Sequence, residues 1–168
     1  MRVLGIDPGT ATVGYGVVDR PVSRGELGRL VECGILRTPP RSREGLPGRL
    51  AHIHQGLQEL IQRHRPDVVA VEGIFYGTNV RTTVVLGHAR GVILLAAAQA
   101  GVEVAEYSPA IIKKTVVGRG GALKPQVGYM VAKLLKLRTA PHPADAADAV
   151  AVALTHLLTG PNGTGRTG

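Results

Sequence analysis

The stretch Val3-Leu4-Gly5-Ile6-Asp7-Pro8-Gly9-Thr10-Ala11-Thr12-Val13-Gly14-Tyr15-Gly16-Val17-Val18 decides the fold class. Residues 3–7 are a short apolar run ending at Pro-Gly, which reads as a buried strand followed by a turn. Residues 13–18, with Gly14 and Gly16, read as a second strand joined to the first as a hairpin. Working outward, residues 30–36 read as a third strand, and three strands on short loops make an antiparallel meander. The period then changes. Leu46, Leu50, Ile53, Leu57, Leu60 and Ile61 are spaced by 4, 3, 4, 3 and 1, the mark of an amphipathic helix, and Pro66 follows its end. Residues 68–71 predict a buried strand, 84–100 a long apolar helix, and 102–105 another strand. Helices are expected over 109–116, 125–137 and, Ala-rich, 144–158. A strand-helix-strand crossover requires parallel pairing. The expected class is therefore α/β, a mixed five-stranded sheet with helices on both faces.

At 168 residues the chain fits one domain, residues 1–159, and the Gly-rich 160–168 is expected to be a disordered tail. Apolar residues make up 44%, enough for a core without disulfides. The single Cys33 excludes an intramolecular disulfide framework, and no Cys/His cluster has zinc-finger spacing. No apolar run reaches ~18 residues, and charge arrives too early for a signal peptide, so a cytoplasmic protein without a membrane span is expected. Twenty Lys and Arg against twelve Asp and Glu give a net charge of +8. Such an excess fits a polyanion partner, and it also fits an ordinary basic surface. Its distribution points toward phosphate. Between Tyr107 and Ala144 there is no carboxylate, while Lys113, Lys114, Arg119, Lys124, Lys133, Lys136 and Arg138 all lie there. A second basic concentration runs over residues 37–65.

Four acids stand in apolar surroundings. Asp7 ends the run Leu4-Gly5-Ile6-Asp7, and Glu72 ends Val68-Val69-Ala70-Val71-Glu72. Asp145 and Asp148 interrupt Ala144-Asp145-Ala146-Ala147-Asp148-Ala149-Val150. An ionised carboxylate in such a setting must find a cation or take a proton. If the strands of Asp7 and Glu72 run parallel and adjacent, both acids point into one crevice, where open α/β sheets place ligands. Spaced by three, Asp145 and Asp148 share one helix face. Divalent metal reconciles four acids in one place, because Mg²⁺ takes hard oxygen ligands and two such ions serve phosphodiester hydrolysis. Each acid also has a plainer explanation. Asp7 before Pro-Gly fits a turn cap, and Asp145 or Asp148 fits a charge offsetting the helix dipole. Glu72 beside Gly73 has the weakest such alternative.

At these residues the sequence resembles the RuvC family, the Holliday-junction resolvases or crossover junction endodeoxyribonucleases. The likeness covers residues 2–158 in ordered blocks: Leu4-Gly5-Ile6-Asp7-Pro8-Gly9-Thr10 with Gly14-Tyr15-Gly16-Val17-Val18, Glu72-Gly73-Ile74-Phe75, Leu86-Gly87-His88-Ala89-Arg90-Gly91, Lys113-Lys114-Thr115-Val116-Val117-Gly118 with Lys124-Pro125-Gln126-Val127, and Asp145-Ala146-Ala147-Asp148-Ala149. The resemblance implies a ribonuclease H-like fold, a homodimer, and symmetric Mg²⁺-dependent nicking of a four-way DNA junction. It implies 5′-phosphate and 3′-hydroxyl ends, two Mg²⁺ per site with Mn²⁺ as a substitute, and a branch-migration complex as partner. Asp7, Glu72, Asp145 and Asp148 take metal-ligand and catalytic roles. Lys113 and Lys124 fall near the scissile phosphate, and Phe75 matches an aromatic that stacks on a base.

Read from residues alone, Lys113, Lys114, Arg119 and Lys124 are DNA-contacting or simply solvated. Phe75, the single Phe, is a stacking or a core residue. The Gly118-Arg119-Gly120-Gly121 loop between Lys113 and Lys124 fits a clamp that orders on DNA. His142 precedes Asp145 and is either part of the site or an ordinary surface residue. Gly87 and Gly91 share a helix face and fit close packing, internal or across a dimer. Three rivals remain: an RNA nuclease of the same fold (the YqgF-like group), an actin-like nucleotide binder, and a catalytically silent DNA binder. The second lacks room for two domains and any Gly-x-x-x-x-Gly-Lys-Ser/Thr motif.

Overall fold

The computed structural model describes residues 1–9, 11–21, 26–38, 45–73 and 80–160. Strands β1 (Arg2–Asp7), β2 (Thr12–Asp19) and β3 (Arg29–Arg37) come first, then α1 (Gly45–His64), β4 (Val68–Glu72), α2 (Val80–Gln99) and β5 (Glu103–Tyr107). Helices α3 (Pro109–Val117), α4 (Lys124–Leu134) and α5 (Ala144–Thr159) close the chain. The sheet order is β3-β2-β1-β4-β5. β1–β2 and β2–β3 are antiparallel, while β1–β4 and β4–β5 are parallel. The expected mixed five-stranded sheet is what forms. Two of the expected helical boundaries over 84–158 differ by more than one residue. The helix expected to reach residue 137 ends at Leu134, because Lys136 turns into the left-handed region with a φ of 54°. The helix expected from residue 84 starts at Val80, whose first turn, with Thr82 and Thr83, carries little apolar signal.

Strand alternation sorts the core into two layers. On one side Leu4, Ile6, Val13, Val17, Val69 and Val71 pack with Ile53, Leu57 and Leu60 of α1 and Ala89 and Ile93 of α2. On the other side Val3, Val18, Val68, Ala70 and Ala105 meet α3, α4 and α5. Each such Val or Leu contributes about 1.5–3 kcal/mol relative to exposure. The Ala-rich α5 lies centrally, with Ala146, Ala147 and every residue from Ala149 to Leu157 buried. Bare backbone admits it. A Cβ on Gly5 would lie 2.1 Å from the Ala149 carbonyl oxygen, and one on Gly14 would lie 2.1 Å from that of Asp145.

Helix α2 has an unusual surface. Arg90 ties it to β5, Nη2 donating to both oxygens of Glu106 at 2.6 and 2.5 Å. Close packing at Gly87 and Gly91 is not found among the described residues, for none of them lies within 4 Å of a Cβ built at either. Val80, Val84 and Leu95 are exposed. The window Thr82–Gln99, 18 residues of mean hydropathy 1.2 and 22% buried, is long and apolar enough to cross a membrane by length and composition. That revises the expectation that no stretch qualifies, although Thr82, Thr83, His88 and Arg90 interrupt the apolar run.

Candidate active site

The alternation that builds the core also aims the acids. Gly5 faces α5, so Asp7, two residues on, projects on the same side. On β4, Val68 and Ala70 belong to the α5 layer, and Glu72 continues their register. β1 and β4 are parallel neighbours, with Ile6 opposite Val71, so Asp7 and Glu72 end side by side at the same edge. Helix α5 starts above that edge. Its second and fifth residues, Asp145 and Asp148, face β1 and β2, held close by the bare backbone of Gly5 and Gly14.

Carboxylate oxygens of Asp7, Asp145 and Asp148 lie within 4.8 Å of one another. All three residues are half-buried. At that separation each ionised pair repels by about 3 kcal/mol at an effective dielectric of ~20. A divalent cation removes that penalty. The donors are carboxylate oxygens, with no thiol or imidazole in the group, which suits a hard ion such as Mg²⁺. Glu72 falls outside this close trio but lines the same cleft of about 150 Å³, with Asp7, Asp148 and Lys113 above a floor of Ile112, Val127 and Ala151. Larger hollows of about 570 and 560 Å³ lie at the opposite edge of the sheet and beside the C-terminal ends of α1 and α2. Size does not mark the site, since the acids lining the larger hollow are paired with cations: Asp19 with Arg2 and Arg29 at 2.7 and 2.9 Å, Asp67 with the N-terminus at 3.9 Å and Glu26 with Lys136 at 4.0 Å.

The basic stretch divides around the cleft. Ser108 caps α3 by accepting from the Ile111 N–H at 3.3 Å, and Pro109 occupies its first turn. This sets Lys113 one helical turn inside, at the cleft wall. Lys114, one residue on, is exposed, as is Arg119, and neither lines the cleft. Gly118 ends α3 in the left-handed conformation at φ 88°. Lys124 opens α4, where Gln126 Oε1 accepts from the Leu123 N–H at 2.9 Å. The side chain of Lys124 lies outside the described residues, as do Phe75, Thr10 and residues 161–168. His142 is exposed and is not in the acidic trio. One residue beside the acids escaped the sequence reading. Thr12 Oγ1 donates to Asp145 Oδ2 at 3.1 Å. Its only signal was an alternation, Thr12-Val13-Gly14-Tyr15-Gly16, that puts it on the glycine face.

A mixed sheet, acids at the ends of its two central parallel strands, and a last helix delivering two more define the class of ribonuclease H-like nucleases. Residues 3–156 match the family model described as Crossover junction endodeoxyribonuclease RuvC, and the chain belongs to that family. The crossover junction endodeoxyribonuclease RuvC of Chloroflexus aggregans is 51% identical over 161 residues, 96% of this chain and 95% of that protein. The Thermus thermophilus RuvC structure superposes with a TM-score of 0.86 at 38% identity, covering 98% of each chain. T. thermophilus RuvC in complex with Holliday junction substrate gives a TM-score of 0.84 at 36% identity, covering 98% of this chain and 97% of that one.

Proposed function

We propose that the chain is a metal-dependent DNA endonuclease that resolves four-way junctions in recombination and repair, in the cytoplasm, by paired symmetric nicks. The crowding of Asp7, Asp145 and Asp148 within 4.8 Å carries this reading. Those three with Glu72 would hold two Mg²⁺ ions. When bound, the metal supplies Lewis acidity and a water acidic enough to attack phosphorus at neutral pH. The residues do the rest. Lys113, on the cleft wall, places ammonium charge beside the scissile phosphate and offsets charge that grows in the transition state, and the family resemblance assigns Lys124 the same role. The exposed Lys114 and Arg119 take flanking phosphates. Phe75 stacks on an unpaired base near the junction centre, a contact worth ~1–3 kcal/mol. Water loses a proton as its oxygen bonds to phosphorus, the bond to the 3′ oxygen breaks, and that oxygen takes up a proton from solvent, leaving a 5′-phosphate and a 3′-hydroxyl.

Two like cuts on a two-fold junction need two sites at a set distance, hence a homodimer. The face of α2 bearing Val84, Gly87, Gly91 and Leu95 supports it, since Val84 and Leu95 are exposed and Gly87 and Gly91 permit close approach. A branch-migration complex would deliver the junction. The test is strand cleavage of a synthetic mobile four-way junction with Mg²⁺, beside linear duplex and the Asp7→Asn protein. Paired nicks are expected from the parent on the junction alone, while Asp7→Asn binds the junction and fails to cut by at least ~10²-fold. Tight binding without cutting in Mg²⁺ or Mn²⁺ would overturn the nuclease reading.

A further inference from the structure

We infer that Thr12 is a positioning residue that holds Asp145 in its metal-ligating orientation, an inference that rests on the metal-site reading above. Two independent constraints meet at Asp145. Its main chain is pressed against Gly14, where any Cβ would stand 2.1 Å from the Asp145 carbonyl oxygen. Its side chain is held from β2, with Thr12 Oγ1 donating to Oδ2 at 3.1 Å. Thr12 and Gly14 are two apart on one strand, so the same pleat that brings the glycine under the helix brings the hydroxyl under the carboxylate.

The helix does not supply this hold. Pro143 occupies the N-cap of α5 and makes no side-chain capping bond, while Asp145 lies in the first turn. An acid there ordinarily turns back on the free N–H groups of its own helix. Here the carboxylate reaches across to β2. A carboxylate that spends one oxygen on a fixed hydroxyl presents the other in a defined direction. Like charge on Asp7 and Asp148 repels the Asp145 carboxylate when no cation is present, and the Thr12 hydroxyl bond holds it against that repulsion. Less reorganisation is then needed when an ion binds. Hydrogen-bond partners of ligating side chains typically contribute 10–100-fold in metal affinity or activity.

Thr12→Val keeps the shape and removes the donor, Thr12→Ala is a second donorless variant, and Thr12→Ser keeps the hydroxyl. Full-length protein without DNA is titrated with Mn²⁺ and followed by calorimetry and by the electron paramagnetic resonance of the free ion. Single-turnover junction cleavage is measured in parallel across Mg²⁺ concentrations, with junction affinity in Ca²⁺ as a control. Both donorless variants are expected to weaken Mn²⁺ binding by ~10–100-fold and to raise the half-saturating Mg²⁺ alike. Cleavage should recover at high Mg²⁺, junction affinity should stay unchanged, and Thr12→Ser should follow the parent. Parent-like Mn²⁺ binding by a folded Thr12→Val or Thr12→Ala protein overturns the role of Thr12 alone. A parent that binds no Mn²⁺ overturns the metal site itself.

Discussion

Gly5 shows how one missing side chain governs the site. A methyl group there would meet the Ala149 carbonyl oxygen at 2.1 Å and the Ala153 nitrogen at 2.6 Å, both backbone atoms of α5. Neither can turn aside as a side chain would, so Gly5→Ala must shift the helix that carries Asp145 and Asp148. Overpacking of this kind costs about 1–3 kcal/mol or more. For a chain of this size each kcal/mol lowers Tm by about 2–4 °C. The variant is expected to melt several degrees early and to lose cleavage even at temperatures where it is fully folded. An unchanged melting curve would show that the helix does not rest on the strand as described. At this scale much of the site was legible. Asp7 and Glu72 stood out as acids ending apolar strands, and Asp145 and Asp148 by their spacing on an apolar helix. Thr12 was not legible, since a hydroxyl at a strand start carries no signal until the face it occupies is known. A glycine within a strand signals close approach, without naming what approaches.

Helix α5 couples the site to the far side of the core. Near its end His156 is buried, and its Nδ1 lies 2.8 Å from the Tyr107 hydroxyl, an arrangement that suits a neutral ring accepting the phenolic proton. Burial holds the His156 imidazole below its ordinary value, with Glu103 opposing and Arg20 reinforcing that shift. The unfolded chain takes up this proton near pH 6.5 and the folded chain only at lower pH. Stability from His156 is therefore fully present above about pH 6.5 and is lost as pH falls through the depressed folded value. Melting temperatures are expected to fall as pH drops below about 6.5, less steeply in His156→Gln once its own lower baseline is subtracted. Equal slopes in the two proteins would remove His156 from the account. Elements were legible where burial is one-sided. The six apolar residues from Leu46 to Ile61, with Pro66 after them, marked α1 to within three residues of its ends at Gly45 and His64. Apolar periodicity reports the face that is buried, and here that face runs almost the full helix.

Across the whole molecule, the hairpin, the crossover and the mixed sheet were all readable, because chain reversal and parallel pairing leave turn and period signals. What α2 leaves uncovered was not, since an apolar helix reads alike whether its outer face meets the same chain or another. That face forms a hollow of about 420 Å³ among Leu50, Val84, Gly87, His88, Gly91, Val92 and Leu95. Replacing both Val84 and Leu95 with Glu should leave the fold intact, as both are more than half exposed, at 53% and 51%. The parent is expected to sediment as a dimer and the double variant as a monomer, with paired nicks giving way to isolated ones. A double variant that remains dimeric would place the interface elsewhere. The four acids also arrive in a telling order. Asp7 belongs to the first strand, Glu72 to the fourth, and Asp145 and Asp148 to the last helix. A chain still being made on the ribosome thus carries only two of the four acids until its final helix emerges. A fragment cut short before α5 would lack two of the four acids, and it is expected not to cut DNA.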